Sequence, residues 1–148
     1  MIHLTDYLNH ETLHPVAPAS HDDLLRELLH HCFQKAGETV APEKLEELVR
    51  THALKDQMLE KGFALSHARL DSLSDIRLSV GLLGKPYRFV RRDRAHTVFC
   101  VLIPRDRSRE YLAFLARLGR FLQTPGVGDA FKSANVDRIL TLLDEPND

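Results

Sequence analysis

Apolar residues recur at helical spacing in several parts of the chain, and these parts are the predicted helices. The first follows Ser20, a favourable N-cap, and Gly37 is its expected end. A second helix opens with Pro42, a long third helix covers "SREYLAFLARLGRFLQ", and Asn135 caps a last short helix. The apolar stripe of the first helix is formed by Leu24, Leu25, Leu28, Leu29, Cys32 and Phe33.

Short, continuous apolar runs predict the strands. They cover residues 63–65, 76–83 and 96–103, after an extended piece near residues 12–16. Strands without polar alternation are usually covered on both faces, so helices should lie on both sides of the sheet. Residues 84–95 are expected to form an extended excursion between the last two strands. The sequence therefore predicts an α/β sandwich with a helical end.

Length and charge narrow the class of protein. The 148 residues are expected to form a single domain, residues 1–148. Twenty basic against 21 acidic residues give a net charge of −1, which provides no bulk field for nucleic acid. No apolar run approaches the roughly 18 residues of a membrane span, and the N-terminus lacks a signal pattern. We expect a cytoplasmic protein that neither binds nucleic acid nor inserts into a membrane.

The two cysteines and the histidine pair beside one of them give no sign of a metal or a cofactor. Cys32 and Cys100 both lie in apolar surroundings, which suits two reduced, buried thiols. His30, His31 and Cys32 are adjacent on a helix, so their side chains diverge and cannot chelate one ion. We expect no metal and no cofactor.

Seven segments occur in an order that resembles a known family. They are "LTDYL", "ASHDDLLRELL", "GFALSHARL", "VGLLGKP", "VFCVLIP", "EYLAFLARLGRFL" and "DRILTLL". Together they resemble the fructose/mannitol-type enzyme IIA domain of the bacterial phosphotransferase system, including its nitrogen-regulatory members. The resemblance extends over residues 2–144. It implies a mixed β-sheet of about five strands sandwiched between helices.

The resemblance also implies a role for His67. In that family a histidine in a Gly-Ile-Ala-Ile-Pro-His-Ala motif receives a phosphoryl group from the phosphocarrier HPr. The matching segment here is "GFALSHA", so His67 would be the acceptor. A neutral imidazole is a competent nucleophile near physiological pH. Ser66 stands where the family has proline, and its hydroxyl is a candidate donor to the phosphoryl group.

Other positions of the family pattern are altered. The arginine expected about sixteen residues before the acceptor falls on Thr51, with Arg50 next to it. The family's glycine-rich loop is replaced by residues 57–62, which keep one glycine and are expected to resemble a helix end. The second active-site histidine is replaced by Tyr111, which donates a hydrogen bond but cannot become a cation. Arg69 remains as a candidate phosphate ligand.

A group of arginines has two interpretations, a solvated face or a docking patch for an acidic partner or phosphate. The group consists of Arg88, Arg91, Arg92, Arg94, Arg105, Arg107 and Arg109.

Two functions are left open. The first is a phosphoryl carrier with a regulatory role, a phosphohistidine phosphotransferase component that accepts phosphate from HPr on His67 and acts on a target such as a transporter or sensor kinase. The second is an interaction domain that keeps the enzyme IIA fold and binds such a partner irrespective of phosphorylation. Retention of His67 and Arg69 favours the first, and Thr51 and Tyr111 favour the second.

Overall fold

A mixed five-stranded sheet lies between two layers of helices in the computed structural model. The structure describes residues 3–34, 41–50, 54–71, 73–90 and 93–145. The strands are β1 (Leu13–Pro15), β2 (Lys55–Glu60), β3 (Gly62–Arg69), β4 (Arg77–Val90) and β5 (Asp93–Ile103). The helices are α1 (His21–Gln34), α2 (Pro42–Arg50), α3 (Ser108–Leu122), α4 (Val127–Lys132) and α5 (Val136–Asp144), and a single 3-10 turn covers Leu4–Asp6.

The sheet order is β1-β4-β5-β3-β2, which makes β5 its centre and β1 and β2 its edges. Strand β5 is parallel to β3 and antiparallel to β4, and β1 joins β4 in parallel. The remaining pair, β2 with β3, is antiparallel. Every residue of β5 from Ala95 to Ile103 is buried, which explains why its sequence is a continuous apolar run.

Each face of the sheet has its own hydrophobic core. The core on the α3–α5 face includes the fully buried rings of Phe99, Phe114 and Phe131. The core on the α1–α2 face includes Leu24 and Leu28, which are also fully buried. Each such side chain stabilises the fold by roughly 1.5–3 kcal/mol relative to exposure. The predicted α/β sandwich is confirmed.

Two of the predicted helix caps are present. The backbone N–H of Asp23 donates to Oγ of Ser20 at 3.1 Å, and the N–H of Arg138 donates to Oδ1 of Asn135 at 3.0 Å. Such caps satisfy N–H groups that have no partner within the helix. The expected end of the first helix at Gly37 lies outside the described residues.

The prediction of a helix end at residues 57–62 is wrong, because most of this segment is strand β2. The chain reverses at Lys61–Gly62 and returns as β3, with a bulge between Met58 and Glu60. Gly62 has φ +86°, a conformation that favours glycine. A Cβ on Gly62 would also clash with the ring of His96, which would have to move to make room for it.

Residues 84–95 also differ from the expected excursion. Strand β4 continues to Val90 and β5 starts at Asp93, so the two form a long antiparallel hairpin. Tyr87 pairs with Ala95 and Arg88 pairs with Arg94, beyond an irregularity between Leu82 and Tyr87. The apolar pattern fades there, since only Phe89 of residues 84–90 is buried, and so the strand was not recognised.

Candidate functional site

His67 lies near the carboxyl end of β3, where it pairs with Val101 of β5 and with Lys55 of β2. Side chains alternate along a strand, so His67 shares a face with Phe63 and Leu65, which belong to the core on the α3–α5 face. The imidazole is half-buried. Strand β3, which lies inside the sheet, therefore holds this ring at the surface near the N-terminal end of α3.

The two ring nitrogens of His67 differ in their surroundings. Nδ1 is buried and has no hydrogen-bond partner among the described residues. Nε2 has no hydrogen bond in the described part of the chain and is not among the buried unpartnered atoms, so it is the ring nitrogen that is open to solvent. Burial lowers the pKa of His67, and the charges of Arg69 and Lys55 lower it further against an opposing effect of Asp56. The ring is neutral at physiological pH, so its nitrogen lone pair is available for attack.

Tyr111 is the aromatic neighbour of His67. It lies in the first turns of α3 and is buried, and the two ring centroids are 6.0 Å apart at an interplanar angle of 33°. Burial raises the pKa of the Tyr111 phenol, with Arg69 partly opposing the shift. The hydroxyl therefore stays protonated and can act as a hydrogen-bond donor.

Arg69 is two residues beyond His67 on the same strand face and is exposed. Its Nη1 donates to Oγ of Ser108 at 2.8 Å, which holds the guanidinium against the first residue of α3. The N-terminus of α3 has no side-chain cap hydrogen bond. The guanidinium of Arg69 and the N-terminus of α3 thus lie at the same end of β3 as His67, an arrangement suited to anions.

Two of the sequence-predicted site residues are not brought to this group. Ser66 points to the opposite face of the sheet, where its hydroxyl donates to Oδ1 of Asp56 in a short contact. Arg50 ends α2 in the other helix layer, and its charge is not among those that shift the pKa of His67. Thr51 lies outside the described residues. The structure therefore assembles His67, Arg69 and Tyr111 but not Ser66 or Arg50.

Sequence reasoning missed three residues near the acceptor, Ser108, Asp56 and His21. Nε2 of His21 lies 2.9 Å from Oδ2 of Asp56, so this carboxylate joins Ser66 to the first residue of α1. The sequence did indicate that Asp56 pairs with Ser66, because the two residues are equally far along the chain from the turn at Lys61. Recognising that turn would have predicted the cross-strand pair. The sequence pattern places Ser108 in a helix but gives no sign that it contacts Arg69.

The arginines do not form one patch. Arg88 and Arg94 face each other in the β4–β5 hairpin, and both are exposed. Arg105 and Arg107 follow the opposite end of β5, where Arg105 pairs with Asp71 in a short contact. Arg107 lies 3.8 Å from a carboxylate oxygen of Asp75 and 3.6 Å from one of Glu110. Arg91 and Arg92 lie outside the described residues, and Arg109 is exposed near the start of α3.

Among the residues that the structure describes, the other histidines and the cysteines form no candidate metal centre. In the described part of the chain, no three His, Cys, Asp or Glu side chains are grouped so that they could hold an ion. His31 stacks on His14 with ring centroids 3.7 Å apart, and Cys32 and Cys100 are buried free thiols. None of the described helices has both the length and the apolar character needed to cross a membrane.

Solved structures with this fold include three of enzymes IIA, two of them of the same protein. The nitrogen regulatory protein IIA-Ntr from Neisseria meningitidis superposes with a TM-score of 0.68 at 16% identity, covering 88% of this chain and 89% of that one. IIA mannitol from Escherichia coli gives 0.69 at 19% identity, with 92% and 98% covered. In its complex with phosphorylated enzyme IIB, the E. coli mannitol enzyme IIA gives 0.68 at 18%, with 92% and 96% covered.

Sequence comparison gives the family. A search of curated proteins found no match. The sequence model of the family described as phosphoenolpyruvate-dependent sugar phosphotransferase system, EIIA 2, matches residues 13–145. With a match over most of its length and the fold of the enzymes IIA, the chain belongs to the EIIA 2 family of the phosphoenolpyruvate-dependent sugar phosphotransferase system.

Proposed function

We propose that this protein is a regulatory phosphoryl carrier whose acceptor is His67. The observation that carries the proposal is the state of this imidazole, which is neutral, enclosed at Nδ1, open at the edge that bears Nε2, and two residues from Arg69. Family membership supports the carrier role. The phosphocarrier HPr is the proposed donor, and the proposed location is the cytoplasm.

The proposed transfer needs no general base. With its proton on Nδ1, His67 attacks the phosphorus of the phosphorylated donor through the Nε2 lone pair. A nitrogen–phosphorus bond forms at His67 while the bond from phosphorus to the donor breaks, and the donor leaves with that electron pair. Arg69 is suited to pair with the equatorial oxygens, and the Tyr111 hydroxyl to donate to one of them. Phosphoryl transfer depends mostly on such positioning and charge stabilisation.

Regulation is proposed rather than sugar uptake because the electrostatic help around His67 is limited. Tyr111 cannot become a cation, unlike the histidine that the family pattern has at this position. A phosphoryl group would still add roughly 1.5 to 2 negative charges to this surface, which is enough to change a partner preference. The proposed target is a protein such as a transporter or sensor kinase. The mannitol enzyme IIA of E. coli forms a complex with phosphorylated enzyme IIB, which supports a protein partner.

Incubation with enzyme I, HPr and phosphoenolpyruvate tests the proposal. We expect the intact mass to increase by one acid-labile phosphoryl group, and we expect no increase for His67→Ala. His10→Ala is the matched control, because His10 is exposed and has no part in the site. No labelling of the wild-type protein under conditions that label a known enzyme IIA would contradict the proposal, and so would labelling of His67→Ala.

A second candidate function is favoured by strand β2. Residues that correspond to the family's glycine-rich loop are paired with β3, so this chain has lost a flexible segment beside the acceptor. An interaction domain that binds its partner irrespective of phosphorylation would tolerate that loss. Partner capture by wild-type protein, phosphorylated protein and His67→Ala separates the two functions, since equal capture by all three supports the interaction domain.

A further inference from the structure

A chain of hydrogen bonds lies behind the acceptor strand, on the face of the sheet opposite His67. The Ser66 hydroxyl, fully buried, donates to Oδ1 of Asp56 in a short contact. The second carboxylate oxygen, Oδ2, lies 2.9 Å from Nε2 of His21. Asp56 therefore has one partner on β3 and another on the first residue of α1.

The position of this chain relative to His67 is set by the strand register. Asp56 pairs with Ser66, and the preceding Lys55 pairs with His67. Strand β2 is an edge of the sheet, so its only sheet neighbour is β3. The Asp56 side chain adds two contacts that hold this edge strand where it flanks the acceptor.

The same three residue types occur in hydrolase triads, but the order of contacts here is different. In a triad the histidine lies between the serine and the carboxylate, so that it can take the serine proton. Here the carboxylate lies between Ser66 and His21, and Ser66 is fully buried. No imidazole contacts the Ser66 hydroxyl in the described part of the chain, and the hydroxyl is fully buried, which argues against nucleophilic catalysis and for a holding role.

A holding role matters here because the family pattern has a proline before the acceptor histidine, and proline fixes its own φ. Ser66 lacks that restraint, so other contacts have to fix the backbone that leads into His67. The hydroxyl–carboxylate–imidazole chain starts at this position. The chain runs from the fully buried Ser66 to the surface, with 26% of the Asp56 side chain and 33% of the His21 side chain exposed.

We propose that Asp56, held in turn by His21, is a positioning residue that fixes the β3 backbone at Ser66 and thereby the direction of the His67 ring. The inference rests on the proposed phosphoryl-carrier function. Asp56 also acts on the acceptor electrostatically, since its charge raises the pKa of His67 against the effects of burial, Arg69 and Lys55. Its removal should therefore change both the geometry and the reactivity of the acceptor.

Asp56→Ala tests the inference through two independent readouts. We expect the rate of phosphoryl transfer from phosphorylated HPr to fall about tenfold through kcat, with KM for the donor little changed, because misplacement of a reacting group slows the chemical step. In the unphosphorylated protein we expect weaker nuclear Overhauser contacts between the rings of His67 and Tyr111. Asp56→Asn, which keeps an acceptor for Ser66, should recover most of the rate.

Asp71→Asn is the matched control, because it removes an ion pair just beyond β3 without touching Ser66. If Asp56→Ala does not fold, Ser66→Ala provides the same test by removing only the hydroxyl, with a smaller loss of rate. Wild-type rate and ring contacts in a folded Asp56→Ala would overturn the inference. If the wild type is not labelled at all, the carrier function fails, but the ring contacts need no phosphate and still decide whether Asp56 positions His67.

Discussion

His67 and Ser66 are neighbours in sequence, but they lie on opposite faces of strand β3 and have different surroundings. On one face His67 is half-buried, and its Nδ1 has no partner in the described part of the chain. On the other face Ser66 is fully buried, and its hydroxyl is bound by Asp56. A buried polar atom without a partner costs roughly 1–3 kcal/mol, a cost that Ser66 avoids through Asp56 and that Nδ1 of His67 does not avoid. The contrast supports the proposal that His67, rather than Ser66, is the reactive residue.

The largest effect after loss of His67 itself is expected for Arg69→Ala, which removes the cationic fork from the acceptor face. The rate of labelling should fall about tenfold to a hundredfold, because the equatorial oxygens lose a charged donor. Initial rates with phosphorylated HPr measure this loss. Arg94→Ala in the β4–β5 hairpin is the control, and equal losses in both variants would mean that the arginines act only by long-range attraction.

Tyr111→Phe tests a single hydrogen-bond donor beside His67, because it removes one hydroxyl from the acceptor face and keeps the ring. A neutral hydrogen bond contributes about 1 kcal/mol, so we expect a fall of about fivefold in the labelling rate. Tyr87→Phe, in the hairpin, should leave the rate unchanged. An unchanged rate in Tyr111→Phe as well would restrict Tyr111 to packing against His67.

The smallest effect is on stability, where histidines on the two faces should show opposite pH dependence. The hydrogen bond to Asp56 raises the pKa of His21, with burial opposing. This partly exposed ion pair stabilises the fold by about 1 kcal/mol. The stabilisation is fully present below pH about 6.5, the pKa of histidine in the unfolded chain, and it is lost as the pH rises through the raised pKa of His21 in the folded protein. The pKa of His67 is lowered, so His67 instead destabilises the fold as pH falls below about 6.5.

Urea denaturation at several pH values measures both contributions. His21→Gln should be less stable than the wild type at pH 5.5 to 6, with the difference disappearing at alkaline pH. The free energy of unfolding of His67→Ala should rise relative to that of the wild type as the pH falls. A His21→Gln difference that grows with rising pH would contradict the assigned ion pair with Asp56.

The sequence predicted those features that depend on local pattern. The apolar stripe of α1, its cap at Ser20 and the buried run of β5 follow from spacing and residue type, and the structure contains all three. Strand β2 was missed because its side chains are mostly exposed and it is defined by pairing with β3 rather than by its own pattern.

The site could be predicted only in part, for a similar reason. His67 was identified through a family resemblance, and the structure brings Arg69 and Tyr111 to the same end of β3. Side chains alternate along a strand, so the sequence predicts the face on which Ser66 lies. The contact between Ser66 and Asp56 depends on the register of two strands across a turn, which the apolar pattern of the sequence does not predict. The division of the arginines between two ends of β5 likewise depends on topology, which spacing in the sequence does not reveal.

The proposed role of His67 is tested by identifying the atom that carries the phosphoryl group. Protein labelled with ¹⁵N-histidine would be phosphorylated through enzyme I and HPr, and the imidazole nitrogens followed by two-dimensional NMR. We expect phosphorus bonded to Nε2 of His67 and to no other histidine nitrogen. Phosphorylation at Nδ1 of His67 or at a different histidine would contradict it.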